Sequence, residues 1–310
     1  MIRSLARCLV IVLCSLVIVA PLAGCGGKAK KKVATIAERL KKARADKTPG
    51  GPARELAKVA VAQLKSGDKA GAIKTLEEAR KTITDDADPA VYAPRLIDIA
   101  MGFADASDRK LGRETVDKAM AMAEKLADPV ARVEILSKAG RIYGGSLSES
   151  SKAKAALAKA AELASSDEVT DRFRPQALAA VALGYANANL AGEASKVIEQ
   201  LESLAGSLEE LRPKAEALAA AANVRFKSGD KEKAAELLAE AAKAAKAIDG
   251  SANKTYALLA VGTAMNATDD TKAARALAAE AEKTASKIAD PEQQKEAVAA
   301  VRVLQAAIKE

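Results

Sequence analysis

The chain has no histidine and no tryptophan, and only three phenylalanines and four tyrosines among its 310 residues. Without histidine there can be no Ser-His-Asp or Cys-His catalytic set, and most zinc sites lose a principal ligand. So few rings argue against sugar recognition by stacking. Runs of β-branched residues are also scarce. Ala, Leu, Lys and Glu dominate, and these favour helix. The chain carries no GxGxxG ahead of a helix, no phosphate-loop lysine motif and no GxSxG. These absences predict an all-α protein that is not an enzyme and holds no cofactor. Carboxylates are plentiful, so sequence alone leaves a two-carboxylate hydrolase open. Yet Glu77-Glu78, Asp85-Asp86 and Glu209-Glu210 fall where solvated faces and helix caps need them, and Asp269-Asp270 reads as a turn, not a calcium-ligand pair.

Cysteine is nearly absent too, and all three copies lie close to the N-terminus: Cys8, Cys14 and Cys25. Arg3 and Arg7 precede an uncharged apolar run from Cys8 to Ala20, then Pro21 and Leu22-Ala23-Gly24-Cys25. A basic start, a short apolar run and small residues at a cleavage point have the pattern of a secretory leader. The run is shorter than the roughly 20 apolar residues of a bilayer span. Removal of the leader would leave Cys25 as the lone cysteine, which cannot form an internal disulfide. Leu22-Ala23-Gly24-Cys25 resembles the lipobox of bacterial lipoprotein signal peptides. That resemblance implies cleavage before Cys25 and covalent acyl chains on it. It also implies a lipid-anchored place in the cell envelope. Gly26, standing where an Asp would favour the inner membrane, leans toward the periplasmic face of the outer membrane.

Charge is unevenly spread. The net +8 resolves into +2 from the leader, +7 from residues 28–47 and −1 from residues 48–310. The folded part is therefore near neutral. A nucleic-acid partner, which needs a basic face on the folded domain, is not expected. Residues 25–52 read as an acylated, basic tether. Either it is a solvated spacer, or it lies on anionic headgroups with Ile36, Ala37, Leu40 and Ala43 forming an apolar strip on a helix over 33–45. Thr48-Pro49-Gly50-Gly51-Pro52 breaks any helix and marks the predicted boundary, so residues 1–24 form the leader and 53–310 the domain.

Within that domain the sequence repeats. Lys65-Ser66-Gly67-Asp68-Lys69 recurs as Lys227-Ser228-Gly229-Asp230-Lys231. Bulky residues before each break (Leu64, Phe103, Tyr143, Tyr185, Phe226, Met265) are spaced 39, 40, 42, 41 and 39 residues apart. Small residues follow early in each second helix: Ala72, Gly112, Ala155 or Ala156, Ala194, Ala234 and Ala274. The third is displaced by a longer predicted loop, residues 144–151. Asp88-Pro89, Asp128-Pro129 and Asp290-Pro291 read as an N-cap followed by a first-turn proline. The pattern predicts six helical hairpins with a period near 40 and a capping helix from Pro291 to Lys309.

The small-bulky-glycine-small-small order of Ala60, Leu64, Gly67, Ala72 and Ala79, and again of Ala222, Phe226, Gly229, Ala234 and Ala241, resembles the tetratricopeptide repeat. The usual period of that family is 34, and its tryptophan is missing here. The resemblance implies a right-handed α-solenoid whose first helices line an inner groove. Carried onto this chain, the family's ligand-facing column is Val61, Met101, Arg141, Leu183, Asn223 and Thr263. Arg141 and Asn223, with Asn187 and Asn266 nearby, become the groove candidates; the family's set of clamp lysines and asparagines is not reproduced. The expected function is a membrane-anchored scaffold that binds a protein or peptide. A periplasmic solute or glycan receptor and a purely structural envelope protein are the alternatives.

Overall fold

The computed structural model describes residues 34–84 and 86–308, so the leader, Cys25 and the first part of the tether lie outside the described residues. The described residues are all-α with no strand: fourteen α-helices packed in consecutive pairs, the arrangement of an α-solenoid. They divide at Val197/Ile198 into two compact units.

The N-terminal unit holds α1 (Ile36–Ala45) and three hairpins: α2 (Gly51–Lys65) with α3 (Lys69–Lys81), α4 (Pro89–Asp105) with α5 (Arg109–Ala123), and α6 (Pro129–Arg141) with α7 (Ser150–Ser165). It continues into α8 (Arg174–Asn187) and the start of α9 (Ala191–Ser207). The first helices stack in order, α2 on α4, α4 on α6, α6 on α8. The C-terminal unit holds the remainder of α9, then α10 (Leu211–Lys227) with α11 (Lys231–Lys246), α12 (Ser251–Ala267) with α13 (Thr271–Ala285), and α14 (Pro291–Ala307), which packs on both α12 and α13.

Local chemistry sets the helix starts. Asp68, Asp108, Asp230 and Asp270 each accept a hydrogen bond from the backbone N–H three residues on, at 2.8 to 3.2 Å. The three predicted Asp-Pro starts are real: Asp88 caps Ala90, Asp128 caps Val130 and Asp290 caps Gln293. Helix ends repeat as well. One residue in each hairpin turn takes a left-handed conformation: Gly67, Ser107, Ser148, Asn189, Gly229 and Asp269, spaced 40, 41, 41, 40 and 40 apart. Only two are glycine, which is why the glycine motif revealed two of the six turns.

Alanine and glycine bring the helices close. Ala72, Ala156, Ala194, Ala234 and Ala274 are each at most 2% exposed. Exposed Ala155 is not the packing residue of its helix. Gly140 of α6 and Gly184 of α8 hold the fully buried Leu157 between them; a Cβ on either would lie 2.4 Å from a leucine carbon. Of the bulky series, Phe103, Tyr143, Tyr185 and Met265 are buried, whereas Leu64 and Phe226 are only half-buried. Lys231 Nζ stands 5.5 Å from the Phe226 ring centre, so that ring faces partly outward.

Two expectations need correction. The predicted long loop over residues 144–151 is mostly wound up: α6 runs on into a π-turn, Ile142–Ser146, before α7 begins at Ser150. The close approach of Gly144 to Ala188, where a Cβ would sit 2.5 Å away, shows why glycine stands there. Nor is the whole of 25–52 a free tether. A capping box between Thr35 and Glu38 starts α1, Ala43 is buried, and α1 packs along α2. Arg44 then pairs with Glu78 of α3 through two bonds of 2.7 and 2.8 Å. The 34-residue step of that pair matches Arg80 to Glu114, between α3 and α5. Arg44 thus extends onto α1 the ladder that joins second helices, and α1 caps the stack. Residues 48–50 are a turn inside the fold, and Gly51-Pro52 open α2.

Candidate functional site

Opposite charges recur three or four residues apart on the first helices, and neighbouring first helices bring them together. On α2, Lys58 lies 2.9 Å from Glu55; on α4, Arg95 lies 3.7 Å from Asp98; on α6, Lys138 lies 3.8 Å from Glu134. The order of signs reverses from helix to helix. Glu55, Arg95 and Glu134 form one row, and Lys58, Asp98 and Lys138 form the next, with forty residues between its members. The inner face of the N-terminal unit is a checkerboard of charge. Gln176 of α8 donates to Glu134 at 3.0 Å and continues the surface with a neutral group.

Asp98 sits at its centre. Its side chain keeps 55% of its surface exposed. The surrounding protein nevertheless pushes its carboxyl above the usual carboxylate range, by burial that outweighs Arg95, Lys138 and Lys58. Asp105 is raised for the same reason, with Arg141 opposing. Burial lowers the Arg141 guanidinium, against Asp105 and Asp98. Ion pairs this exposed contribute at most about 1 kcal/mol each to stability.

The four groove candidates fare differently. Arg141 is half-buried on this face and donates to Met101 Sδ at 3.6 Å, so two column members meet. Asn187 is exposed and donates to Leu183 O of its own helix at 2.6 Å. Both belong to the N-terminal unit. In the C-terminal unit, Asn223 is half-buried on α10, and its Oδ1 is buried without a protein partner. Asn266 donates to Ala307 O at 3.3 Å, which ties α12 to the end of α14 and gives it a structural task. Of the other column members, Thr263 donates to Leu259 O at 2.7 Å, while Val61 is 42% exposed. Among the described residues no hydrogen bond joins any two of the four candidates. The sequence reading missed Lys58, Asp98 and Lys138. Their signal was available, since each lies three residues before a member of the predicted column.

The C-terminal unit has its own polar face. Arg212 bonds Glu216 at 2.8 Å and Asn253 at 3.0 Å, with its guanidinium 5.1 Å from the Tyr256 ring centre. Two clefts of about 300 Å³ lie in the N-terminal unit, both open to solvent. One is lined by Arg132, Glu168, Lys159 and Glu124, which are already paired with one another, over Leu136 and Leu163. The other lies between the 46–50 turn and Tyr92, whose hydroxyl accepts from Gly50 N–H at 3.2 Å. Among the described residues no group of three metal-ligating side chains occurs, and no helix is long and apolar enough to cross a membrane.

No protein-family model matches the chain, and no curated protein matches it. Among solved structures it is similar to the crystal structure of Ton1535 from Thermococcus onnurineus NA1. The two are 14% identical over 84% of this chain and 94% of that one, with a TM-score of 0.40.

Proposed function

We propose that this chain is a lipoprotein of the bacterial cell envelope, acylated on Cys25, whose tetratricopeptide-like helical repeats form a protein-interaction scaffold. No catalytic step is assigned to it. The leader pattern and Leu22-Ala23-Gly24-Cys25 support the anchor. The observation that supports the scaffold is the checkerboard on α2, α4 and α6. It is accessible, with Lys58 and Asp98 exposed and the other four members half-buried, it is fixed on helices and it is of little use to stability, whereas alternating charge is well suited to selecting a partner and its register.

The spacing suggests the chemistry of that partner. Packed helices lie about 8–10 Å apart, and a polyproline II chain rises about 3.1 Å per residue with about three residues per turn. Every third side chain of a segment in that conformation would then face successive first helices. The row Lys58, Asp98, Lys138 calls for acid, base, acid at i, i+3 and i+6.

The test uses two synthetic peptides, Glu-x-x-Lys-x-x-Glu and its charge-reversed counterpart, titrated calorimetrically against the protein and against K58E/D98K/K138E. The expected result is about a tenfold preference for the first peptide, from exposed pairs of about 0.2–1 kcal/mol each, and an inverted preference in the variant. Equal binding of both peptides would remove the checkerboard from the function. Metabolic labelling with a palmitate analogue tests the anchor: label is expected on the native chain and lost in Cys25→Ser. An unlabelled native chain would end the lipoprotein assignment.

A further inference from the structure

We infer that the outward face of α1 is a docking surface for an anionic lipid bilayer, holding the repeat body on the membrane by charge and without insertion. The inference rests on the anchoring proposal above and deepens it.

Three observations carry it. First, α1 is fixed to the body. Its capping box sets its start, buried Ala43 and half-buried Ile36 and Leu40 face the fold, and Arg44 is clamped to Glu78. The apolar strip is therefore used inside the protein and has nothing to offer the acyl layer. Second, the opposite face is left basic. Lys41 and Lys42 on α1 and Lys47 just beyond its end are exposed, whereas the neighbouring carboxylates are held locally, Glu38 by the Thr35 N–H at 2.8 Å and Asp46 by Thr48 at 2.6 and 2.9 Å. Third, the charge is concentrated in this part of the sequence: +7 over residues 28–47 against −1 over residues 48–310, with Lys28, Lys30, Lys31 and Lys32 standing just ahead of α1 in the chain.

The leash is short enough for contact. Only residues 26–34 separate Cys25 from the capping Thr35, at most about 36 Å fully extended at 3.3–3.6 Å per residue. A basic side chain contributes about 1 kcal/mol near an anionic surface, within a Debye length of about 8 Å at physiological salt. Lipid is favoured over nucleic acid because the basic stretch adjoins the acylation site and the body beyond it is near neutral.

The experiment uses residues 25–310, the whole mature protein under the anchoring proposal, carrying Cys25→Ser so that no acyl chain contributes. Co-sedimentation is measured on vesicles of phosphatidylcholine alone and of phosphatidylcholine with phosphatidylglycerol. Binding is expected only on the anionic vesicles and to fade with salt. K41A/K42A/K47A is expected to weaken it about 100-fold, the equivalent of three contributions of about 1 kcal/mol, with unchanged helical circular dichroism. Equal binding to neutral vesicles, a triple variant that binds like the parent, or a preference for a DNA duplex at equal phosphate concentration would each overturn the inference. An unlabelled Cys25 alongside charge-dependent vesicle binding would sink the anchor alone. A labelled Cys25 without charge dependence would sink this inference alone.

Discussion

Arg141 reaches Met101, its guanidinium Nη2 3.6 Å from the sulfur, forty residues earlier in the chain. The contact spans one repeat. It puts onto a single surface two side chains that the sequence separates by one whole helix and two turns. It also places Arg141 beside Asp105, whose carboxyl burial raises and Arg141 restrains.

Removing that restraint should be visible directly. In Arg141→Ala the Asp105 carboxyl should titrate at a higher pH than in the parent, while stability changes by less than about 1 kcal/mol because the pair is partly solvated. Carboxyl-detected NMR titration checks this. An unmoved Asp105 would show that the two groups do not interact in solution.

Asp98 gives a pH prediction of definite sign. Its folded-state carboxyl is raised above the ordinary value, so the ionised form costs stability once the pH exceeds the folded titration point. Asp98→Asn should therefore be slightly more stable than the parent at pH 7. The gain should stay below about 1 kcal/mol, because more than half of the side chain is in water. It should vanish as the pH falls to the ordinary Asp value of about 3.9, where both chains carry a neutral group. Thermal melts across that range would refute the assignment if the difference grew on acidification.

The turn residues predict opposite signs at equivalent positions. Ser107 and Ser148 hold φ of 58°, and Gly67 holds 83°. A side chain in that region costs about 1–2 kcal/mol. Ser107→Gly and Ser148→Gly should each stabilise the fold by about 1 kcal/mol, and Gly67→Ala should destabilise it by a similar amount. Urea unfolding of the three variants decides. A loss of stability in both serine variants would contradict the left-handed assignment.

Close packing supplies the last prediction. Gly140→Ala would drive a methyl into Leu157, which Gly184 blocks from the other side. Overpacking of this kind costs about 1–3 kcal/mol. Adding Leu157→Ala should cost less in the Gly140→Ala background than in the parent, since the two share one space. Strict additivity of the two changes would mean that they do not touch.

Much of the fold was legible before any coordinates. The Asp-Pro starts at 88, 128 and 290 act as caps because that chemistry is local. The period near 40 stands because small and bulky residues recur in register. The site was legible only in part. Asn266 satisfies a carbonyl at the end of α14, forty-one residues away, and no local pattern announces such a bond. The Gly144–Ser151 stretch looked like a loop because two glycines and four serines read as one. A π-turn takes up its first three residues and α7 its last two, and Gly144 is glycine because neighbouring Ala188 leaves no room for a Cβ.

By itself the sequence determined the all-helical class, the Asp-Pro helix starts and the repeat length, all of which rest on propensity, capping and spacing within about forty residues. Tertiary structure alone decided the rest. It took α1 from the tether into the body, because Ala43 and Arg44 find partners on α2 and α3. It made a checkerboard of Lys58, Asp98 and Lys138, because stacked first helices make neighbours of residues one period apart. Side-chain charge is written in the sequence, but which charges face one another is a property of helix packing.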